Sequence, residues 1–325
     1  MKICPPNERG VALILVILIV SILVTVALEM NRSSRAEVYD ATNLSDGIKL
    51  LYIAKSGFHA GIGLLLMDKN NFDALSEDWA DVRFIAAKSK TLFTDGYFHV
   101  PIEDESGKIQ INRLVTGNAF NEDVKGLMFR LLSQPEFGLD ARKIDEILDA
   151  VKDWIDKDDD ITGSGGAEHV YYGALENPYT PKNGSLDCID ELLMIKGMTK
   201  KIYYGTTETP GIRQFLTVYG DGRININTAP KLVLRALSGD MTAAAADEMD
   251  QYRRNKDNDL THASWYKQVS GMANITIDSR LITTTSSVFR IVSTGILRQM
   301  SKTASGVVKR EADRKTVKIL SWKWE

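Results

Sequence analysis

Acidic residues crowd one stretch of this chain. Asp153-Trp154-Ile155-Asp156-Lys157-Asp158-Asp159-Asp160 is followed by Gly163, Gly165, Gly166 and Glu168, and Asp187, Asp190 and Glu191 lie just downstream. Carboxylates on a glycine-rich, irregular segment suit Ca2+, which takes about six to eight oxygens at flexible angles. Asp156, Asp158 and Asp160 match the first three ligand positions of an EF-hand loop. The match ends there, because Ile161 stands where that loop needs glycine. Ala167 stands where it needs a bidentate acid, with Glu168 one place late, so this is not an EF-hand. Two readings fit the residues: a solvated acidic loop at a helix end, or a Ca2+ site drawn from Asp156, Asp158, Asp160, Glu168, Asp187 and Glu191. Without a cation, carboxylates this close repel one another by roughly several tenths of a kcal/mol per pair. The four histidines are too scattered to make a metal box. Of the two cysteines, Cys4 lies near the N-terminus and Cys188 reads as a small buried residue.

The elements that position such a loop begin with a polar leader, Met1 to Arg9, then Gly10, then an apolar run from Val11 to Leu28. Only Ser21 and Thr25 interrupt it, and both hydroxyls can bond back to a helix. At about 1.5 Å per residue the run spans roughly 27 Å, enough to cross a bilayer core. No small-x-small signal follows it, unlike a secretory signal. An ordinary signal anchor fits this layout. It also resembles the class III signals of type IV prepilins and pseudopilins. That likeness implies cleavage between Gly10 and Val11 by a membrane prepilin peptidase, with the apolar helix retained.

Leu44, Ile48, Leu51, Phe58, Ile62 and Leu65 continue at three- and four-residue steps, and no proline occurs from Val11 to Met67. This predicts one helix of about 55 residues, roughly 80 Å long, with an apolar stripe toward a folded body. Gly57, Gly61 and Gly63 weaken its end. Alternation on either side of Glu105-Ser106-Gly107 predicts a β-hairpin, and a similar text recurs around Asp221-Gly222. Ser106 to Asn112 aligns with Asp221 to Asn227. Amphipathic stretches follow each: Val124–Leu132 then Ala141–Ile155, and Lys231–Leu237 then Thr242–Arg254. Each unit closes on Gly-Met, at Gly197-Met198 and Gly271-Met272, which reads as two copies of one helical module. Strand-like runs at Val288–Leu297, Ala304–Glu311 and Thr316–Trp324 end the chain. The expected fold is α+β: a long N-terminal helix on an antiparallel sheet, with a large, mostly helical insertion of two similar modules.

Arg9-Gly10-Val11-Ala12-Leu13, Asp104-Glu105-Ser106-Gly107-Lys108, Asp153-Trp154-Ile155-Asp156, Gly166-Ala167-Glu168, Tyr171-Tyr172, Glu191-Leu192, Lys196-Gly197-Met198 and Asp221 to Pro230 occur in this order. In that order they resemble the K-type minor pseudopilins of type II secretion, the general secretion pathway protein K family. The likeness implies a pilin-like fold divided into a leader (1–10), a membrane segment (11–29), the helix and first strands (30–112), an insertion (113–279, modules 113–215 and 216–279) and terminal strands (280–325). Pilins and pseudopilins usually carry glutamate at the fifth mature residue. Here that residue is Leu15, as is typical of K-type chains. A carboxylate in lipid needs a partner charge, so Leu15 suits a subunit with nothing added above it. The family further implies a place at the tip of a periplasmic pseudopilus and an inner-membrane anchor. Its implied partners are I-type and J-type minor pseudopilins, with contact to secreted substrate or the outer-membrane secretin. It also implies Ca2+ in the acidic region, although His169 stands where the family often has an acid.

Other classes fit less well. A net charge of −3 gives no bulk attraction to nucleic acid. Asn227-Thr228-Ala229-Pro230 before two helices is similar to helix-hairpin-helix modules, but the turns at Gly197 and Gly239 lack the second glycine, and the first module is strongly acidic. No Gly-x-Ser-x-Gly, His-Glu-x-x-His or P-loop motif supports catalysis. A K-like minor pilin of a type IV pilus shares most of the pattern.

Overall fold

The computed structural model describes residues 8–324. The first seven residues of the expected leader, Cys4 among them, lie outside the described residues. In chain order the first elements are α1 (Glu8–Met67), α2 (Val82–Ser89), β1 (Gly96–His99), β2 (Ile102–Asp104), β3 (Ile109–Gln110), β4 (Val115–Thr116) and β5 (Ala119–Phe120). Helices α3 (Glu122–Leu132), α4 (Ala141–Ile155), α5 (His169–Gly173) and α6 (Lys200–Tyr204) follow, then β6 (Leu216–Thr217) and β7 (Ile224–Asn225). Last come α7 (Lys231–Ala236), α8 (Ala243–Arg254), β8 (Ile282–Thr283), β9 (Val288–Leu297), β10 (Met300–Arg310) and β11 (Val317–Trp324).

Helix α1 runs unbroken for 60 residues. Its apolar start is long and hydropathic enough to cross a membrane, and none of that window is buried against the rest of the chain. The far end packs on an antiparallel sheet ordered β1-β9-β10-β11, with β2 also paired to β9. The contact face keeps Phe58 and Leu65 of the expected stripe, with Leu51 and Ile62 half-buried, but differs at its start. Leu44 and Ile48 are exposed, while Leu50, Ile53, Ala54, Gly57, Phe58 and Leu65 are buried. Glycine explains the difference, because a residue without a side chain carries no hydrophobic signal yet permits close approach. A Cβ on Gly57 would lie 2.2 Å from Ser293 Oγ and 2.8 Å from Phe98 Cγ. The glycines expected to weaken the helix instead let it sit on the sheet. On the sheet side β9 alternates buried and half-buried residues, which turns Phe289, Ile291, Ser293, Gly295 and Leu297 inward.

The two hairpins do not form as expected. Glu105–Gly107 is a 3-10 turn, capped where Asp104 Oδ1 accepts from Ser106 N at 2.8 Å. Its arms then part company: β2 joins β9, and β3 pairs in parallel with β6. Likewise β7 pairs in parallel with β8. Alternation marks a strand but does not name its partner.

A second hydrophobic core, from Ile109 to Ile282 with Ala74, belongs to the insertion, apart from the core between α1 and the sheet. Its aligned asparagines staple equivalent loops. Asn112 exchanges hydrogen bonds with Leu186 N and O at 2.8 and 3.0 Å. Asn227 accepts from Trp265 Nε1 at 2.7 Å and donates to Leu260 O at 3.1 Å. The modules meet through α3 and α7, where Arg130 and Gln134 donate to Ala236 O and Leu232 O.

Candidate metal centre

Helix α4 delivers the first acids. Asp140 caps its start by accepting from Lys143 N at 2.7 Å. Ile144, Ile147, Leu148, Val151 and Trp154 bury one face. Asp153 shares that inward side, and Asp156 follows at the helix end; both are fully buried. The chain then loops out and returns at Glu168, just before α5. Two glycines allow the return: a Cβ on Gly165 would lie 2.2 Å from Glu146 Cα, and one on Gly166 would lie 2.3 Å from Asp153 Oδ2. Trp154, Tyr172 and Tyr179 pack ring against ring behind the loop at 5.2–6.3 Å; Tyr172 is buried in the core, whereas Tyr171 is exposed.

Carboxylate oxygens of Asp153, Asp156 and Glu168 lie within 4.8 Å of one another, all buried. Asp153 accepts from Thr162 N at 3.1 and 3.2 Å. Lys152 Nζ bonds Asp156 Oδ2, while Asp156 Oδ1 and both oxygens of Glu168 have no partner. Burial and then the charges of Asp153 and Asp156 push the Glu168 carboxyl up to about 8. Burial also raises Asp156, against the pull of Lys152. A buried carboxylate oxygen without a donor is costly. A hard divalent cation is the group that satisfies several such oxygens at once, so the donor set fits Ca2+.

A second acidic group, in which only Asp73 is fully buried, shows what satisfaction looks like. Asp68, Asp73 and Glu77 lie as close together, yet Arg310 and Arg314 bond both aspartates. Glu77 there accepts from Ala74 N and Trp79 Nε1. That group has no unmet need for a cation.

Of the six expected ligands, the structure gathers Asp156 and Glu168. Asp153 joins them; it lies three residues before Asp156, a spacing that shares a helix face. Asp158 is half-buried and bonds Asp160 N at 2.9 Å, and its charge raises both Asp156 and Glu168. Asp160 is exposed. Asp187 and Glu191 stand apart from this cluster, held by Lys182 at 2.7 and 3.1 Å. Nearness in sequence could not show that the chain after α5 turns them to a lysine. Cys188, expected to be buried, is exposed beside them, and so is His169. Gly10 and Val11 lie in the exposed first turns of α1.

Residues 107–207 match the family model for type II secretion system (T2SS), protein K. A type II secretion system protein K from Aeromonas hydrophila is 28% identical over 214 residues, 61% of this chain and 61% of that protein. Its counterpart from Pseudomonas aeruginosa is 26% identical over 244 residues, 71% of this chain and 68% of that protein. The match thus spans about three fifths of the Aeromonas protein's length. The fold is similar to a chain in the crystal structure of the GspK-GspI-GspJ complex from the enterotoxigenic Escherichia coli type 2 secretion system. The TM-score is 0.69 at 17% identity, over 88% of this chain and 99% of that one. On these matches, the chain is similar to the type II secretion system protein K family, most directly over residues 107–207.

Proposed function

We propose that the chain is a non-enzymatic minor pseudopilin that crowns the type II secretion pseudopilus and helps start its assembly. In this reading prepilin peptidase cuts between Gly10 and Val11, α1 anchors the chain in the inner membrane, and the remaining bulk stands in the periplasm. One observation carries it: a 60-residue helix, apolar at its start, bears an insertion with its own core from Ile109 to Ile282. Helices of this length can stack into a fibre. A head that wide on every subunit would clash with the next subunit, whereas on the last subunit nothing opposes it. Leu15, uncharged and 53% exposed on α1, supports the same place, since a terminal subunit has no amine above it to neutralise an acid.

The solved relative is a complex with GspI and GspJ, which supports I-type and J-type minor pseudopilins as partners here. From the tip, the head would meet secreted protein or the outer-membrane secretin. Asp153, Asp156 and Glu168 would hold Ca2+, which would meet the Asp156 and Glu168 oxygens that the fold otherwise buries without a donor. Co-expression with I-type and J-type minor pseudopilins, followed by detergent extraction and affinity capture, tests the proposal. The expected product is a stoichiometric complex, more robust in calcium than in chelator, whose protein K chain begins at Val11. No complex with either partner, or a chain beginning downstream of Leu28, would refute it.

A further inference from the structure

We infer that Lys152 is a resident counter-ion of the Asp153–Asp156–Glu168 cluster and sets how tightly that cluster holds a divalent cation; the inference rests on the calcium reading above. Lys152 lies on α4 one turn before Asp156 and is only 8% exposed. A lysine is rarely buried this far unless its ammonium is paired. Here Nζ bonds Asp156 Oδ2 and Thr162 Oγ1, the latter at 2.8 Å, and lies 5.9 Å from the Phe120 ring centroid. The nearby Lys196 is committed elsewhere, to Gly166 O at 3.0 Å and to the Tyr171 ring face.

The charges then divide simply. With all three carboxylates ionised, as cation binding requires, one ammonium leaves two negative charges, which a divalent cation cancels. Lys152 takes one oxygen of Asp156 and leaves the other, together with both oxygens of Glu168, without partners. Its ammonium therefore offsets part of the carboxylate repulsion when no metal is bound, and opposes the metal when one arrives. It also ties Thr162, and so the returning loop, to α4. The result is a site whose affinity is held down by its own lysine, suited to a cation that exchanges.

Calorimetric titration of the full-length, detergent-solubilised chain with CaCl2 after chelator removal tests this. The variants are Lys152→Met, Lys152→Gln, which keeps a polar contact for Thr162, and Lys152→Arg. Wild type is expected to bind, the two neutral variants to bind roughly tenfold or more tightly, and the arginine variant to stay within about threefold of wild type. Circular dichroism establishes that each variant is folded. If wild type binds and a folded neutral variant binds equally or more weakly, the inference fails and the calcium reading stands. Binding by the neutral variants alone would overturn the calcium reading while supporting Lys152 as the counter-ion. No binding by any of them would overturn both.

Discussion

Glu168→Gln separates the need of the buried carboxylate from the rest of the fold. In the folded chain without metal, burial and two neighbouring aspartates hold the Glu168 carboxyl at about 8; unfolded, it titrates near its ordinary value of about 4.3. Between those values the folded chain keeps a proton that the unfolded chain has lost. The unfolded state then binds fewer protons, so stability falls as pH rises. The contribution is fully present below about 4.3 and is lost as pH passes through about 8. At roughly 1.4 kcal/mol per unit the whole window is worth on the order of 3–5 kcal/mol. Asp104, pushed up to about 6 by burial, slopes the same way over a lower range. It is present in wild type and variant alike and cancels in their difference.

Glutamine cannot ionise. In chelator the variant should match wild type near pH 4.5 and exceed it near pH 8, by up to that window. Calcium should reverse the order at pH 8, because the ionised glutamate gains a partner and glutamine gains little. At a hundredfold excess over its dissociation constant, the ion adds about 2.7 kcal/mol to wild type. Urea unfolding followed by circular dichroism at pH 4.5, 6 and 8, with calcium and with chelator, reads all of this. If wild type in chelator is equally stable at pH 4.5 and 8, or if calcium stabilises Glu168→Gln as much as wild type, the argument for an unsatisfied carboxylate is wrong.

Two glycines on one helix should answer oppositely to alanine. A Cβ at Gly63 meets nothing within 4 Å, so Gly63→Ala gains helix propensity, about 1 kcal/mol. At Gly57 it would also press within 3 Å of Phe98 and Val100, and overpacking of roughly 1–3 kcal/mol should exceed that gain; thermal unfolding of both variants decides. Arg310→Met leaves Asp68 and Asp73 with a buried partner gone, so urea unfolding should show a loss of about 3–5 kcal/mol. A loss below 1 kcal/mol would mean that Arg314 alone satisfies both.

The elements that announced themselves in sequence are those whose period is set by one neighbour. Strand β9 alternates because one face meets α1, and α4 repeats because one face meets the insertion core. Partners were less legible. The hairpin text around Glu105 is right in its strands and wrong in their pairing, because Asp104 uses its side chain to cap a turn rather than to close a hairpin. Of the stripe on α1, Phe58 and Leu65 are buried and Leu51 and Ile62 half-buried as expected, while Leu44 and Ile48 are exposed; the contacts made at Gly57 and Gly61 carry no hydrophobic signal. In the acidic stretch, composition left a solvated loop and a cation site equally open, and the fold brings Asp156 and Glu168 together. Asp153 was hidden inside a helical text, and Asp187 and Glu191 follow a turn that only the folded chain shows.

The junction between rod and head decides whether a force on one can reach the other. The chain leaves the sheet at Asp104 and returns to it through Ser286, and these two ends are bonded to each other. Asp104 accepts from Ser286 Oγ, Thr228 Oγ1 at 2.6 Å and Asn225 Nδ2 at 3.1 Å. Arg310 of β10 reaches Asp73, Asp68 and Ser286 O beside them, and bonds Leu65 O of α1. Domains joined by exposed linkers move relative to one another by default. Here both crossings are buried and bonded through charged side chains, so the head is bolted to the rod. The carboxylate cluster lies away from that bolt, between α4 and α5 in the first module. A cation bound there, as proposed, would order the loop between α4 and α5 without touching the joint, so a force on α1 would reach the head with or without the ion.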